Sequence, residues 1–571
     1  MNVNLNYENW LKNAVDDKDL TEELLSIREN EEEIYDRFYK ELEFGTGGLR
    51  GIIGAGTNRM NVYNIRRATQ GFSEYLNKTF DKPTVAVAYD SRIKSDLFAK
   101  TAATVFAANG IKTYIYNELM PTPMLSFAVR HLKCSGGVVV TASHNPSKYN
   151  GYKAYGPDGC QLDLEASETV LNFINSIDVF TGIKTDDFDK MLSSGMIEYI
   201  SDEVIDNYIA SVKEQAINTD VCKNSNFKVV YTPLHGAGNK PVRRILDEIG
   251  IKNVVVVKEQ ELPNGNFPTA PFPNPEIREA FNCALDLAKT ENPDLLLATD
   301  PDSDRVGIAV KHNDEYVLMS GNQVGAMLLE YILSSRKVNG SLPLNPVAVK
   351  TIVTTNIVNK IAKKYNCSLY NVLTGFKFIC GVMRELEENG EEHRCVFGFE
   401  ESYGYLAGTY VRDKDAVVAS MLICEMACYF KSKGLTLVDY MDSLYNEYGY
   451  YSNQQFSFYC EGASGVERMN EIMSDFRNNT PKQIAGKKVV STNDYLLSVV
   501  TDLDTGATEK ILLPKSNVFI FNLEDNSSVT IRPSGTEPKI KVYIEAVGNS
   551  LNEANATTDT LKKDISKLMG F

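Results

Sequence analysis

The chain has 571 residues, and at roughly 150 residues per domain this length predicts about four domains, each with its own hydrophobic core. Lysine and arginine together number 59 and aspartate and glutamate 75, so the formal net charge is −16. This acidity argues against non-specific binding to nucleic acids or anionic membranes, which needs a positive field, but not against a small anionic ligand held by local cations.

The N-terminal segment has no basic region followed by an apolar stretch, so we predict no secretory signal. The longest apolar segment, residues 416–430, is interrupted by Glu425 and is too short to cross a bilayer. It predicts a buried helix with Cys424 and Cys428 on one face. We therefore expect a cytoplasmic protein with reduced, buried cysteines and no membrane partner.

In chain order, the first forty or so residues carry a charged helical pattern, in which Ile34, Phe38 and Leu42 recur every four positions. A glycine-rich loop follows at residues 44–54. It is neither a Walker loop nor a dinucleotide fingerprint, because it lacks a Gly-Lys-Ser/Thr ending and has Arg50 where a third glycine is expected. Arg50 remains a candidate contact to an anion.

The next segment predicts a β-α-β unit, with Ser95 at the cap position of the helix. Its strand, helix and strand are predicted at residues 84–90, 95–108 and 112–117. Similar alternation recurs at residues 227–257 and 345–372 and favours α/β layers with parallel or mixed sheets. From about residue 453 the pattern changes to strand-like runs between polar turns. Residues 539–546 alternate strictly and predict a half-exposed antiparallel sheet in an α+β domain.

Three predicted buried strands end in clusters of polar residues, and ligands of α/β sheets bind at the carboxyl ends of strands. These clusters are residues 141–146, 300–305 and 400–402. The recurrence suggests three domains that face one site.

Asp300, Asp302 and Asp304 recur at every second position, which in an extended loop places all three carboxylates on one side. Three hard oxygen ligands suit Mg²⁺. An EF-hand is excluded, because its sixth position holds Arg305 instead of glycine and its twelfth holds Lys311 instead of glutamate. The alternative is a solvated acidic turn, although Arg305 beside it suits a phosphate.

Ser143 precedes His144 at the end of a strand, where its hydroxyl could act as a nucleophile or carry a phosphate. The Gly-x-Ser-x-Gly elbow is absent. The alternative is an ordinary turn, but Lys148 and Lys153 follow closely in a stretch that suits an approaching phosphate.

Two further segments have both a functional and a structural interpretation. Residues 532–536 combine a guanidinium, two hydroxyls and a glycine amide, which suits a phosphate cradle but also an ordinary β-turn. Glu400 and Ser402 suit hydrogen bonds to sugar hydroxyls, or simply a cap on the next segment.

The order of these motifs resembles that of the α-D-phosphohexomutase family over nearly the whole chain. TASHNPSKYNGYKAYGPDG is similar to the family's phosphoserine loop, DPDSDR to its metal loop, GFEESYGY to its sugar loop and RPSGTEPKIKVY to its phosphate loop. The opening FGTGGLRG and the length resemble the branch that acts on glucose and pentose phosphates.

The resemblance implies an α/β protein of three similar domains with mixed sheets and a C-terminal α+β domain, arranged around a central cleft. We place the four domains, which carry the phosphoserine, metal, sugar and phosphate loops in that order, at residues 1–205, 206–320, 321–450 and 451–571. The oligomeric state cannot be predicted from the sequence.

The resemblance also implies roles for individual residues. Ser143 would be carried as a phosphoserine and bind one Mg²⁺ per chain together with Asp300, Asp302 and Asp304. The positions that match groups near the transferring phosphate are Arg50, His144, Lys153 and Arg305. Lys153 and Lys414 match candidates for the general acid and base. Contacts to the sugar and to its distal phosphate are implied for Thr374, Gly375, Glu400, Ser402, Arg532, Ser534, Gly535 and Thr536.

The implied reaction interconverts glucose 1-phosphate and glucose 6-phosphate through glucose 1,6-bisphosphate, which serves as both intermediate and activator. Pentose or mannose phosphates are alternative substrates, and a sugar-phosphate phosphatase is a third alternative. In the mannose-type branch the sugar loop has a histidine two residues after its serine. Here that position is Gly404, which favours glucose, as does the Thr374–Lys377 segment.

Overall fold

A computed structural model of the chain describes residues 2–45, 47–460, 465–534 and 539–571. The chain divides into two compact units, and each unit is built from two stretches of sequence. The first comprises Met1–Gly321 and Cys380–Thr436, and the second comprises Asn322–Ile379 and Leu437–Phe571.

The strands alternate with helices along most of the chain. The strands are β1 (Gly48–Ile52), β2 (Thr84–Tyr89), β3 (Lys112–Ile115), β4 (Gly136–Val140), β5 (Tyr149–Tyr155), β6 (Ile197–Tyr199), β7 (Lys228–Thr232), β8 (Asn253–Val256), β9 (Leu295–Thr299), β10 (Val306–His312), β11 (Glu315–Met319), β12 (Val347–Thr351), β13 (Ser368–Val372), β14 (Cys395–Glu400), β15 (Gly404–Leu406), β16 (Tyr450–Tyr459), β17 (Gln483–Ile484), β18 (Lys487–Asp494), β19 (Val499–Asp502), β20 (Thr508–Lys510), β21 (Phe519–Leu523), β22 (Ser528–Pro533) and β23 (Lys539–Gly548).

The α-helices are α1 (Val3–Asn13), α2 (Lys18–Ser26), α3 (Glu31–Phe38), α4 (Val62–Thr79), α5 (Ser95–Ala108), α6 (Thr122–His131), α7 (Leu164–Ser176), α8 (Phe188–Ser193), α9 (Asp202–Lys213), α10 (Thr219–Lys223), α11 (Asn239–Glu248), α12 (Lys258–Glu261), α13 (Asn282–Glu291), α14 (Gly321–Val338), α15 (Ile357–Lys364), α16 (Phe376–Glu388), α17 (Ala416–Lys431), α18 (Leu437–Tyr448), α19 (Gly465–Asn478) and α20 (Leu551–Leu568). Short 3₁₀ turns span Arg278–Phe281 and Glu392–Arg394.

The first unit contains two mixed sheets. The first has the order β1-β5-β4-β2-β3-β6, in which β2, β3, β4 and β6 run parallel and β5 pairs antiparallel with both β4 and β1. The second has the order β11-β10-β9-β7-β8, with β7, β8 and β9 parallel and β10 antiparallel to β9 and β11. The unit also holds the antiparallel pair β14–β15.

Helix α17, in the first unit, confirms the prediction of a buried helix over residues 416–430. Its side chains are buried from Ala416 through Cys428, which include Glu425, and Asp415 caps its first turn by accepting from the Val417 and Val418 amides. No helix among the described residues is both long and apolar enough to cross a membrane.

The second unit contains the parallel pair β12–β13 and a larger antiparallel sheet of order β16-β23-β22-β21-β18-β19-β20. Helices α19 and α20 pack on this sheet, with Met473, Phe476 and Leu561 in its core. An α/β class with mixed sheets and a C-terminal α+β domain was expected and is confirmed. The domain boundaries stay predictions.

Candidate active site

Ser143 lies in a short loop just after β4, whose residues are all buried. Its backbone is left-handed, with φ of 51°, a conformation that a residue with a Cβ adopts only when its surroundings hold it there. The hydroxyl donates to Asp300 Oδ2 at 2.9 Å and lies 3.2 Å from His144 Nδ1. The predicted serine and the predicted aspartate loop therefore meet in the first unit.

Asp300, Asp302 and Asp304 are fully buried, and each offers a carboxylate oxygen within 4.8 Å of the other two. The loop is not extended, so the period-of-two explanation for their convergence is wrong. Ser303 is left-handed, with φ of 51°, and its amide donates to the Asp300 carbonyl at 2.9 Å. A tight turn between the antiparallel strands β9 and β10 gathers the three carboxylates.

The carboxylate cluster fits a divalent cation. Asp302 Oδ1 and Asp304 Oδ1 are buried and have no hydrogen-bond partner among the described residues. A buried acceptor without a partner costs about 1–3 kcal/mol, and more when it is charged, so these oxygens favour occupation by a cation. Carboxylate oxygens are the ligands that Mg²⁺ prefers.

Two lysines face the same carboxylates. Lys153 Nζ donates to Asp302 Oδ2 at 2.9 Å and to Asp304 Oδ2 at 3.3 Å, while Lys414 Nζ lies 2.9 Å from Asp304 Oδ2. Burial by itself lowers a lysine pKa, but the nearby carboxylates outweigh it and raise the pKa of both Lys153 and Lys414. In this arrangement both lysines are ammonium ions.

The crowded carboxylates respond differently to their surroundings. Burial, followed by repulsion from Asp302 and Asp304, raises the pKa of Asp300 well above its ordinary value. Burial acts in the same direction on Asp302, but the Lys153 ammonium outweighs it and lowers the pKa of that carboxyl. A bound divalent cation would favour ionisation of all three aspartates.

Two arginines and a histidine surround the serine and aspartate loops. Arg50 lies on β1 opposite Gly151 of β5. Arg305 donates to Glu276 at 2.5 Å, and its Nε is 3.8 Å from Asp304 Oδ1. Burial, followed by the positive charges of Arg305 and Arg50, lowers the pKa of His144 well below its ordinary value. His144 is thus a neutral imidazole at neutral pH, although the residue as a whole is only half-buried.

This neutral histidine predicts a pH dependence of stability. Because the folded-state pKa of His144 is depressed below about 6.5, folding becomes less favourable as the pH falls from 6.5 through the folded-state pKa. We expect the free energy of unfolding of the wild-type protein to fall more steeply between about pH 7 and pH 5 than that of His144→Gln. Urea titrations at each pH measure this difference, and parallel curves for the two proteins would contradict it.

Glu400 ends the buried strand β14 and lies close to the lysine and arginine just described. Burial raises the pKa of its carboxyl, against the opposing charges of Lys414 and Arg305, and Ser402 forms a hydrogen bond with it. The space beside Gly404 explains why a glycine occupies this position, where the mannose-type branch has a histidine. A Cβ on Gly404 would lie 2.6 Å from Lys414 Cδ and 3.0 Å from Glu400 Oε1.

We therefore expect Gly404→Ala to displace the Lys414 side chain and to lower kcat/KM by about 10–10²-fold, without a comparable loss of stability. Gly381→Ala is the matched control, because a Cβ there meets no atom of the described residues within 4 Å and its helical position favours alanine. Steady-state kinetics and thermal melts of both variants measure the effect. Equal activities in the two variants would mean that the contact with Lys414 is unimportant.

The aspartate loop is fastened to four other segments of the first unit by backbone hydrogen bonds. They run from Thr122 N to Asp302 O at 2.8 Å, from Ala237 N to Pro301 O at 2.8 Å, from Ala416 N to Ser303 O at 3.2 Å and from Val306 N to Tyr403 O at 3.2 Å. The last one joins the end of this loop to the Glu400–Gly404 turn.

The remaining predicted residues belong to the second unit or lie outside the described residues. Thr374 and Gly375 follow β13, and Gly375 has φ of 120°, a conformation open to glycine. Arg532 lies on β22 opposite Lys541 of β23, and the Ser534 amide donates to the Lys539 carbonyl at 2.8 Å. Gly535 and Thr536 lie outside the described residues.

Sequence reasoning missed several polar residues that support the site. Thr122 donates to Asp302 Oδ2 at 2.8 Å, and Asp413 accepts from Tyr155 at 2.6 Å and from Lys414 Nζ at 3.2 Å. Asp413 adjoins Lys414 in the sequence, which was a usable signal. Glu276, the partner of Arg305, comes from an irregular segment 29 residues away, and no local pattern marks it.

Models of one protein family match most of the chain. The models for phosphoglucomutase/phosphomannomutase α/β/α domains I, II and III and for the C-terminal domain match residues 41–179, 206–313, 320–448 and 460–557. A Staphylococcus saprophyticus protein named phosphoglucomutase is 37% identical over 545 residues, which cover 95% of this chain and 97% of that protein.

Solved structures share the fold. The Paramecium phosphoprotein pp63/parafusin, a phosphoglucomutase in its open form, has a TM-score of 0.70 at 18% identity and covers 93% of this chain and 97% of its own. A Thermus thermophilus protein provisionally named a phosphomannomutase has a TM-score of 0.69 at 21% identity and covers 93% of this chain and 100% of its own. At these identities the likeness concerns the fold alone.

Proposed function

Since this chain belongs to the phosphoglucomutase/phosphomannomutase family, we propose that it is a phosphoglucomutase that interconverts glucose 1-phosphate and glucose 6-phosphate. The observation that carries the proposal is the contact between Ser143 Oγ and Asp300 Oδ2 at 2.9 Å inside the buried carboxylate cluster. It sets a hydroxyl that can carry a phosphoryl group beside a cluster that suits a divalent cation and beside two lysines.

The cofactor in this proposal is one Mg²⁺ per chain, held by Asp300, Asp302, Asp304 and the phosphate on Ser143. When bound, the cation neutralises the charge that develops on the transferring phosphoryl group. Among the described residues, Asp302 Oδ1 and Asp304 Oδ1 accept no hydrogen bond, which supports this assignment.

The reaction begins with the phosphorylated form of Ser143. The bond between phosphorus and Ser143 Oγ breaks as phosphorus bonds to the free hydroxyl of the sugar monophosphate. The proton that this hydroxyl gives up is balanced by the proton that Ser143 Oγ takes up as it leaves. Glucose 1,6-bisphosphate results, turns round and returns its other phosphate to Ser143. Arg50, His144 and Arg305 surround the phosphoryl group, and Lys153 and Lys414 are the candidates for proton transfer to and from the sugar oxygens.

Recognition of the sugar and its distal phosphate is assigned through the family motifs. Glu400 and Ser402 contact sugar hydroxyls, and Thr374 and Gly375 contribute to the same recognition. The distal phosphate is held by the cradle of Arg532, Ser534, Gly535 and Thr536. Holding the far phosphate allows either hydroxyl to be presented to Ser143, because it fixes the orientation of the substrate.

Pentose phosphates, through a phosphopentomutase reaction, are the second candidate substrates, because the FGTGGLRG segment resembles both enzymes of that branch. A phosphomannomutase reaction is less favoured, since Gly404 takes the place of a histidine and a side chain there would meet Lys414. A phosphatase has no use for a cradle that holds the far phosphate, so it is the least favoured alternative.

The test is ³¹P NMR of the purified protein with Mg²⁺ and a trace of glucose 1,6-bisphosphate. Glucose 1-phosphate, ribose 1-phosphate and mannose 1-phosphate are supplied in separate tubes. We expect the glucose ester to convert fastest to its 6-phosphate. Faster conversion of the pentose ester would assign the protein to phosphopentomutase, and free phosphate in every tube would assign it to a phosphatase.

A further inference from the structure

Arg92 lies beneath the Ser143 loop and has a fully buried side chain. Its guanidinium donates to four backbone carbonyls of the segment that follows β4. Nη2 bonds to the carbonyls of Ser143 and Asn145, and Nη1 bonds to those of Pro146 and Tyr149, both at 3.0 Å. One side chain thus gathers the carbonyls of the loop that carries the proposed phosphoserine.

A second set of contacts runs through Asp90, which directly follows β2. Its carboxylate accepts from Thr141 Oγ1 at 2.7 Å and lies 3.3 Å from Arg92 Nε, an ion pair without hydrogen-bond geometry. Thr141 Oγ1 in turn accepts from the Ser143 amide at 2.8 Å. The backbone on both sides of Ser143 is therefore fixed, its amide through Thr141 and its carbonyl by Arg92.

An arginine suits this position for a geometric reason. The guanidinium offers five donors in a rigid plane, whereas a lysine offers three from one atom and cannot reach four separated carbonyls. The ring of Phe267 lies 5.1 Å from the guanidinium carbon and helps to cover it. Carbonyl oxygens bonded to Arg92 cannot turn towards the dianionic phosphate, which would repel them.

We propose that Arg92 is a positioning residue for phosphoryl transfer, which holds the Ser143 loop in its left-handed conformation with Thr141 as the second support. The inference rests on the proposed function, because the position of Ser143 matters only if that residue exchanges a phosphoryl group. Among the described residues, Arg92 forms no hydrogen bond or ion pair with the three aspartates, and its side-chain hydrogen bonds to the site run through the Ser143 loop.

The test compares Arg92→Lys, Arg92→Met and Thr141→Val with the wild-type protein. The measurement is the rate at which glucose 1,6-bisphosphate and Mg²⁺ phosphorylate Ser143, followed by quenched-flow intact mass spectrometry, together with kcat and KM for glucose 1-phosphate. Arg59→Lys is the matched control. Arg59 is also buried and bonded to backbone carbonyls, those of Asp36 and Asn58, but it lies outside the Ser143 loop.

We expect both Arg92 variants to be phosphorylated about 10²-fold more slowly and Thr141→Val about tenfold more slowly, with KM changed less than about threefold. Arg59→Lys should keep the wild-type rate. Rescue by Arg92→Lys to the wild-type rate would overturn the proposal, because a role in charge or stability alone survives that change. If the Arg92 variants do not fold, a wild-type rate for Thr141→Val overturns it. If the wild-type protein is not phosphorylated, the proposed function itself is wrong and this inference falls with it.

Discussion

Replacement of Ser143 by alanine is expected to abolish mutase turnover, with a loss in kcat of at least about 10⁴-fold. The hydroxyl is the only atom of this side chain that can carry a phosphoryl group, and alanine leaves the rest of the loop in place. Substrate binding depends on other residues, so the dissociation constant for glucose 6-phosphate should change little. Stopped assays of glucose 6-phosphate formation and isothermal titration calorimetry measure the two effects.

The control for this variant is Ser211→Ala, which removes a hydroxyl from α9 that bonds only to the carbonyl of Asn207 among the described residues. It should leave turnover unchanged. Incubation with glucose 1,6-bisphosphate and intact mass spectrometry should show one phosphoryl group on the wild-type protein and none on Ser143→Ala. Normal turnover in Ser143→Ala would falsify the phosphoserine mechanism.

The second large effect is expected from loss of the metal or of one of its ligands. Removal of Mg²⁺ with a chelator should stop turnover, and added Mg²⁺ should restore it. Asp302→Asn should weaken Mg²⁺ binding by at least about tenfold and lower kcat/KM by about 10²-fold or more, because it removes one charged ligand and one of the two carboxylate partners of Lys153. Calorimetric titration with Mg²⁺ and steady-state kinetics test both statements.

Mg²⁺ should also raise the melting temperature of the wild-type protein, since a ligand that binds only the folded state stabilises it. The effect should be reduced in Asp302→Asn. Asp314→Asn makes the same chemical change at a fully exposed carboxylate and should behave as the wild type. An unaltered Mg²⁺ affinity in Asp302→Asn would remove that carboxylate from the metal site.

Much of the fold could be predicted from local patterns. Strands β2 and β3 lie where alternation and turn residues indicated. Short runs rich in β-branched residues between glycine and polar breaks favour strands over helices. The predicted cap at Ser95 is wrong. Ser95 is the first residue of α5, and its hydroxyl donates to Asp90 instead of capping the helix. The hydrogen bond to Asp90, five residues earlier and directly after β2, took the place of the helix cap that the residue type of Ser95 favours.

The predicted half-exposed face of β23 is correct only in part. Ile540, Val542 and Ile544 are buried as expected, and Lys541 is partly exposed, but Glu545 on the same face as Lys541 is buried as well. Its carboxylate accepts from Asn356 and Asn453, which lie far away in the sequence. Alternation in one strand cannot reveal which neighbours will cover its second face.

In the candidate site, too, some residues could be predicted from the sequence and others could not. The three aspartates could be found from the sequence, because clustered carboxylates indicate metal binding. Ser143 could be found once its loop was recognised. The residues that support the site from other segments could not be predicted from the sequence. Arg92, Thr122 and Glu276 act through contacts to segments at least 29 residues away, and their residue types fit many surface positions equally well.

The four backbone hydrogen bonds around the aspartate loop have a consequence for how this unit opens. A loop fastened to residues 122, 237, 403 and 416 cannot come loose alone, because its release breaks a backbone hydrogen bond at each of these positions. When part of this unit unfolds, we expect the loop and the segments bonded to it to open together in one cooperative step rather than by local fraying. We therefore expect the segment that carries the three buried aspartates to couple the unfolding of the chain segments bonded to it.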